Sequence, residues 1–181
     1  MRKIAAGLFI SLDGVIEAPE TWHFPYFNDE MGQSVGRQFE AADAMLLGRR
    51  TYEGFAEYWP KQDPAAEPMA EVMNNTPKYV VSTTLTSADW QNTTLIQGDV
   101  AAELGRIKQQ PGKNISITGS ATLVQSLLRD GLLDELNLLV HPIVVGSGQR
   151  LFDGDLGQIP LKLTRSEIFS TGVLDLTYER A

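Results

Sequence analysis

The chain lacks several residue types on which common functional sites depend. Its 181 residues include no cysteine and only two histidines, His23 and His141. The absence of cysteine excludes disulfides, thiolate metal sites and a cysteine nucleophile. Neither histidine has another histidine or a cluster of carboxylates close to it in the sequence. The sequence therefore does not favour a metal site. We therefore expect no metal centre, and a cytoplasmic location, since a cysteine-free composition fits a reducing compartment.

Positive charge and long apolar runs are also scarce. The chain has 15 lysines and arginines against 23 acidic residues, a net charge of −8, which argues against nucleic acid or an anionic membrane as partner. No apolar run approaches the ~20 residues that a bilayer requires. The apolar stretch after Arg2 and Lys3 runs straight into Asp13 and is interpreted as a first strand. We expect one domain, residues 1–181, that binds a small molecule.

Strand-length apolar runs alternate with helical periods along the chain. The predicted strands are KIAAGLFISL, DAMLLG, KYVVST, TTLIQ, NISITG and ELNLLVHPIVVG, and the predicted helices are DEMGQSVGRQFEAA, RTYEGFAEYW, residues 65–73, VAAELGRIKQQ and ATLVQSLLRDG. The segment LKLTRSEIFSTGVLDLTYER alternates apolar and polar residues on both sides of STG, which is typical of an antiparallel hairpin. The pattern predicts an α/β fold with a mostly parallel central sheet, flanking helices and a C-terminal antiparallel hairpin.

Three strand-to-loop junctions carry small, hydroxylated or cationic residues where such sheets bind ligands. They are Gly48, Arg49, Arg50 and Thr51 after the second strand, Ser82, Thr83 and Thr84 after the third, and Gly119, Ser120, Ala121, Thr122 and Leu123 after the fifth. Arginines at a helix N-terminus are unfavourable unless an anion lies with them. Ordinary glycine turns and hydroxyl caps would explain any one junction. Three junctions in one acidic chain favour a phosphate-bearing ligand.

The connection between the first strand and the first helix is long and rich in aromatic residues. Segments of this kind often carry function, although a single aromatic more often anchors a loop to the core. As a group, the aromatic rings predict a wall for a flat heterocyclic substrate, formed by Trp22, His23 and Phe24 together with Tyr52. The acids available to orient that substrate or relay a proton are Asp13, Asp29 and Glu30, with Glu17 as a further candidate.

The order of these motifs resembles the dihydrofolate reductase-like superfamily. The closest likeness is to the branch with the reductase domain of bacterial riboflavin biosynthesis and its small stand-alone relatives. The resemblance covers almost the whole chain through SLDGVI, LLGRRTYE, VVST, ITGSATLVQSLL and GLLDELNLLVHPIVVGSGQRLF. It implies the sheet predicted above, NADPH as hydride donor and, in the riboflavin branch, a homodimer.

The resemblance also assigns roles to residues. It implies that Gly48, Arg49 and Thr51 form a phosphate-binding turn with Arg50 beside it, and that the helix entrance from Gly119 to Leu123 holds the pyrophosphate. The resemblance implies that Ser82, followed by Thr83 and Thr84, lies beside the adenosine 2′-phosphate. It implies that Leu12, Gly14 and Ile16 lie beside the nicotinamide. In folate reductases one acid of the first helix contacts the pteridine. The nearest candidates in this chain, Asp29 and Glu30, are shifted along the sequence from the position of that acid.

Together, these observations predict an NADPH-dependent reductase. Hydride would pass to a small heterocycle or an imine-like sugar adduct, such as the substrate of a 5-amino-6-(5-phosphoribosylamino)uracil reductase in riboflavin biosynthesis. One alternative is a dihydrofolate or pterin reductase. Another is a non-catalytic dimer that binds NADPH or senses a ligand, because no single catalytic residue is compelling.

Overall fold

Eight strands form one sheet in the computed structural model, which describes residues 1–181. The strands are β1 (Ile4–Ser11), β2 (Ala42–Gly48), β3 (Lys78–Val81), β4 (Thr93–Ile96), β5 (Asn114–Thr118), β6 (Glu135–His141), β7 (Leu161–Ile168) and β8 (Leu174–Arg180). The helices are α1 (Asp29–Glu40), α2 (Arg49–Tyr58), α3 (Met69–Asn75), α4 (Val100–Lys108) and α5 (Ala121–Arg129). Short 3-10 helices span Pro19–Thr21, Phe24–Tyr26 and Trp59–Lys61. No helix is both long and apolar enough to cross a membrane.

The strand order is β4-β3-β2-β5-β1-β6-β8-β7. Pairing is parallel from β4 to β6, whereas β8 runs antiparallel to β6 and β7 antiparallel to β8. This confirms the predicted α/β sheet and its C-terminal hairpin. Most boundaries lie close to the predicted ones, and the end of β6 and the start of α3 differ most. The strand β6 ends at His141 because Pro142 has no N–H for the ladder, and α3 starts after Pro68, which suits a helix start.

The two faces of the sheet have different chemistry. On one face, Ile4, Leu8 and Ile10 of β1 join the largest buried cluster together with apolar residues of α4 and α5. On the other face, Ala5, Gly7 and Phe9 of β1 are only half-buried, and they lie opposite α1. The half-buried face is therefore the one with room for a ligand.

Candidate functional site

The junctions after β2 and β5 are tied together by side-chain hydrogen bonds. The Ser120 hydroxyl donates to Oγ1 of Thr51 at 2.8 Å and accepts from the Gly48 N–H at 3.0 Å. Gly119 and Ser120 both adopt left-handed backbone, with φ of 65° and 56°. A Cβ on Gly119 would lie 3.3 Å from the Thr51 hydroxyl, so glycine permits this close approach. The N-termini of α2 and α5 are thus held side by side.

Neither of these two helices has a side-chain cap at its N-terminus. By contrast, α1 is capped by Asn28 and α4 by Asp99. Uncapped N–H groups carry partial positive charge and favour an anion. The Ser120 side chain, which precedes α5, is instead used to bind the β2 junction. Two uncapped N-termini therefore open side by side at the C-terminal end of the sheet.

A cavity of about 620 Å³ begins at these N-termini. We call it the first cavity. Arg49 and Arg50 line it. Nη1 of Arg49 lies 2.9 Å from the Glu53 carboxylate, and the Arg50 side chain is exposed. Its volume is within the range of small-molecule sites. The wall also includes Val100 and Ala101 of α4, and Gln149, none of which the junction motifs had indicated.

A second cavity, of about 380 Å³, lies between α1, α2 and the half-buried face of the sheet. Three central strands line it with alternate residues: Ala5, Gly7 and Phe9 of β1, Asn114, Ser116 and Thr118 of β5, and Glu135, Asn137 and Leu139 of β6. Strand register places Gly7 opposite both Thr118 and Asn137. Thr51 lines both cavities, so the two cavities meet at the α2 junction.

Polar groups are concentrated on the floor of the second cavity. The Glu135 carboxylate accepts a hydrogen bond from the Asn137 amide at 3.0 Å, and its side chain is 23% exposed. The side chain of Gln38, from α1, lies directly over Gly7, where any Cβ would clash with its amide oxygen. Parallel strands covered on both faces are usually almost continuously apolar. The polar alternation in NISIT and ELNLL was therefore a signal for this cavity that sequence reasoning missed.

Comparison with known proteins identifies the family. Residues 2–174 match the RibD C-terminal domain family. The chain belongs to this family. It is 32% identical over 182 residues to the uncharacterized protein YyaP of Bacillus subtilis (strain 168), with 98% of this chain and 94% of YyaP covered.

Solved structures share the fold of this RibD C-terminal domain. A Shewanella sp. PV-4 protein, provisionally named for riboflavin biosynthesis, superposes with a TM-score of 0.80 at 22% identity, covering 100% of this chain and 99% of that one. The diaminohydroxyphosphoribosylaminopyrimidine deaminase/5-amino-6-(5-phosphoribosylamino)uracil reductase of Thermotoga maritima gives 0.69 at 13% identity, covering 99% of this chain and 57% of that one. These similarities confirm the predicted dihydrofolate reductase-like fold.

Most residues assigned to the cofactor lie at a cavity. Lining the first cavity are Gly48, Arg49, Arg50, Thr51, Ser120, Ala121, Thr122 and Leu123, and lining the second are Ile16, Thr51 and Gly119. Leu12, Gly14, Ser82, Thr83 and Thr84 line neither cavity.

The third junction differs from its expected role because its hydroxyl closes a local turn. The Ser82 oxygen accepts from the N–H groups of Thr84 and Leu85, at 3.1 and 3.0 Å, and the side chain is buried. In the first loop, Leu12 is 67% exposed and Gly14 occupies a turn with φ of 85°. The assignment of Leu12, Gly14, Ser82, Thr83 and Thr84 to the cofactor stays a prediction, and in this structure these residues lie outside the two cavities.

The three acids predicted to be catalytic are also outside both cavities. Asp13 accepts hydrogen bonds from Ser11 and from the N–H groups of Val145 and Gly146, which hold its pKa far below the usual range. Glu30 accepts from Ser170 and Asn28, and these bonds lower its pKa. Asp29 is in the first turn of α1. Asp13 and Glu30 thus fasten loops, and the cavity-facing residues of α1 lie further along the helix. The catalytic role of the three acids stays a prediction.

The four aromatic positions expected to contact substrate line neither cavity. His23 stacks on Phe9 at 4.6 Å, with Phe24 against it at 4.3 Å. Trp22 is buried and lies edge-on to His141 at 5.2 Å. Trp22 and His23 are buried and pack at the end of β1 and β6, whereas Phe24 is 63% exposed. Their contact with substrate stays a prediction. Burial lowers the pKa of both His23 and His141.

Tyr52 lies on the side of α2 that faces away from the two cavities. Its hydroxyl accepts from the Trp90 N–H at 3.1 Å within a separate buried cluster. Thr51 and Phe55, which are four residues apart and so share one helix face, are the α2 residues that line the second cavity.

Proposed function

We propose that the protein is an NADPH-dependent reductase that passes a hydride to a small heterocycle or an imine-like sugar adduct. One observation carries the proposal: a cavity that starts at two uncapped helix N-termini meets a second, polar cavity at Thr51. Membership of the RibD C-terminal domain family supports the reductase class. The Thermotoga maritima relative is named as a reductase.

The first cavity has the groups that a phosphorylated dinucleotide needs. N–H groups at the start of α2 and α5 suit the pyrophosphate, and the Arg49 guanidinium suits the 2′-phosphate that distinguishes NADPH from NADH. A phosphate there would replace the carboxylate of Glu53 as the partner of Arg49. Arg50, which is exposed at the same turn, would reinforce the local positive field. We therefore assign the cofactor to the first cavity.

The role of the protein in the reaction is positioning. NADPH, when bound, supplies the hydride. The chain holds donor and acceptor in adjoining cavities, and Thr51, fixed by Ser120, stands at their border. Gln38, Thr118 and Asn137 face the acceptor and orient it by hydrogen bonds. Such placement converts an encounter of two molecules into an effectively intramolecular step.

We also propose that the protein is a homodimer, as the family resemblance implies. The edge strand β7 supports this, because Leu163 and Ile168 on it are 48% and 76% exposed and its outer backbone is unpaired. An exposed edge strand pairs readily with another chain. Sedimentation equilibrium should give twice the chain mass for the wild type and a shift toward monomer for Ile168→Lys; a monomeric wild type would contradict the proposal.

Calorimetric titration of NADPH into the purified protein tests the cofactor assignment. We expect saturable binding in the micromolar range, and no binding below millimolar NADPH would contradict it. Oxidation of bound NADPH is then followed with pterin, pyrimidine and flavin-precursor acceptors. Tight binding with no oxidation by any acceptor would favour a ligand-sensing protein over a reductase.

A further inference from the structure

The walls of the second cavity carry a charge pattern that bears on the acceptor. Every ionisable side chain that lines it is acidic, namely Glu20 and Glu135, and the other polar side chains are amides and hydroxyls. We propose that this cavity accepts a planar heterocycle without a phosphate group, and that its two carboxylates select against phosphorylated acceptors. The inference rests on the proposed function, whose acceptor site it describes.

The cationic groups of the site are all directed to the first cavity. Arg49, Arg50 and Arg129 line that cavity, together with Asp130 and the uncapped N-termini of α2 and α5. Phosphate groups are bound in proteins chiefly by arginine, lysine and helix N-termini. The site thus separates a half with cationic groups from a half that has no cationic side chain.

Helix polarity at α1 acts in the same direction, whereas the N-terminal turn of α2 reaches the second cavity only through Thr51, at the border with the first cavity. The lining residues of α1 are Val35, Gln38 and Phe39, which belong to the C-terminal half of the helix. A helix C-terminus carries partial negative charge. The end of α1 that approaches the cavity therefore disfavours an anion and favours a neutral or protonated ring.

The two carboxylates stand toward opposite ends of the cavity. Glu135 is opposite Ala5 in the strand register, at the start of β1. Glu20 lies near His23, which stacks on Phe9 toward the other end of β1. A phosphate tail would therefore approach a carboxylate whichever way the ring entered. Lys3 reduces this charge only in part, because its ammonium is 3.6 Å from Glu135 and 2.8 Å from Glu179.

The neutral groups of the cavity match the edge of a pyrimidine or pterin ring. Amides of Gln38, Asn114 and Asn137 can each donate and accept hydrogen bonds, as alternating ring N–H and C=O groups require. Glu135, which already accepts from Asn137, has further lone pairs for an amino group. An acceptor without phosphate would differ from the substrate in the name of the Thermotoga maritima reductase, which is a phosphoribosylamino compound.

Paired ligands that differ only by phosphate test the inference. Neopterin and neopterin monophosphate, and uridine and uridine 5′-monophosphate, are titrated by calorimetry into the protein with and without saturating NADPH. Like charges across a binding site oppose association, so the phosphorylated member should bind at least about tenfold more weakly. In the Glu20→Gln/Glu135→Gln variant this difference should shrink. Glu179→Gln, which also contacts Lys3 but is outside the cavity, is the matched control and should preserve it.

Equal or tighter binding of the phosphorylated members would overturn the inference, and so would absence of binding by both members of both pairs. A discrimination that survives in the double variant would show that the carboxylates are not its source. NADPH binding is recorded separately on the same samples. Its failure would count against the cofactor assignment alone, since titration of the same pairs into Arg49→Ala, which lacks a cationic partner for phosphate in the first cavity, still decides the selection against phosphate.

Discussion

The hydroxyl of Ser120 donates a hydrogen bond to the hydroxyl of Thr51 at 2.8 Å. The two residues are far apart in the chain, yet this bond joins the start of α2 to the start of α5. Because Ser120 also accepts from the Gly48 N–H, one serine fixes the spacing of two uncapped helix N-termini. We propose that this spacing is what fits the pyrophosphate of NADPH.

Ser120→Ala tests this relationship. The variant loses both hydrogen bonds, and leaving the Gly48 N–H without this acceptor should reduce the free energy of unfolding by about 1–3 kcal/mol. The variant should also bind NADPH more weakly than the wild type does, and calorimetric titration measures this affinity. Ser116→Ala is the matched control, since Ser116 lines only the second cavity and should leave NADPH affinity unchanged. Wild-type stability and affinity in Ser120→Ala would contradict this interpretation.

Arg49→Ala should weaken NADPH binding more than NADH binding. A charge-assisted hydrogen bond contributes about 1.5–3 kcal/mol, so the loss for NADPH should be roughly tenfold to a hundredfold. Arg50→Ala is expected to weaken binding less, because that side chain only adds to the local field. Dissociation constants for both cofactors check this, and an equal loss for NADPH and NADH in Arg49→Ala would show that Arg49 does not contact the 2′-phosphate.

Gly7→Ala should alter acceptor binding without affecting NADPH. The new Cβ would displace the Gln38 amide, which is the flexible end of its side chain, so the free energy of unfolding should change by less than about 1 kcal/mol. Titration of neopterin and of NADPH into the variant separates the two cavities. Gly36→Ala, where a Cβ meets open space, is the control for glycine replacement. Unchanged neopterin affinity in Gly7→Ala would contradict the proposal that the Gln38 amide orients the acceptor.

Stability should fall as the pH is lowered from about 6.5, the ordinary pKa of histidine. Burial lowers the pKa of His23 and His141 in the folded protein, so below 6.5 the unfolded chain binds more protons than the folded one. Below this pH, each histidine lowers the free energy of unfolding by at most about 1.4 kcal/mol per pH unit. Well above it, neither histidine changes that free energy with pH. Asp13 and Glu30 also have lowered pKa values in the folded protein. They reduce its stability only at lower pH, because their ordinary pKa values are 3.8 and 4.5.

Urea unfolding at about pH 7.5 and about pH 5.5 measures this loss directly. The His23→Phe/His141→Phe variant should keep the same stability at both values. If the wild type were equally stable at the two pH values, the two buried rings would not be the acid-sensitive groups.

The fold was largely predictable from the sequence because its signals are local. Alternating apolar runs and helical periods specified the parallel sheet, and the residues flanking STG specified the hairpin of β7 and β8. The first cavity followed from the same kind of signal, since Gly48 to Thr51 and Gly119 to Leu123 occupy strand-to-helix junctions. Parallel strands bring such junctions together whatever the rest of the chain does.

The second cavity was not predicted because it depends on strand order. Asn114, Thr118 and Asn137 come together only because β5 and β6 flank β1, a pairing that local sequence does not specify. The position of Tyr52 outside the two cavities has a related cause, since its neighbour Thr51 is the residue that lines them and one position on a helix changes the face. Asp13 and Glu30 have the chemistry of catalytic acids, but their hydrogen bonds to loop N–H groups are visible only in three dimensions.

A crystal structure of the NADPH complex tests the proposed division of the site into two cavities most directly. We expect the pyrophosphate at the N-termini of α2 and α5, the 2′-phosphate at Arg49, and the nicotinamide beside Thr51 with its reactive face toward the second cavity. A nicotinamide bound away from the border of the two cavities, or a cofactor outside the first cavity, would contradict the proposal.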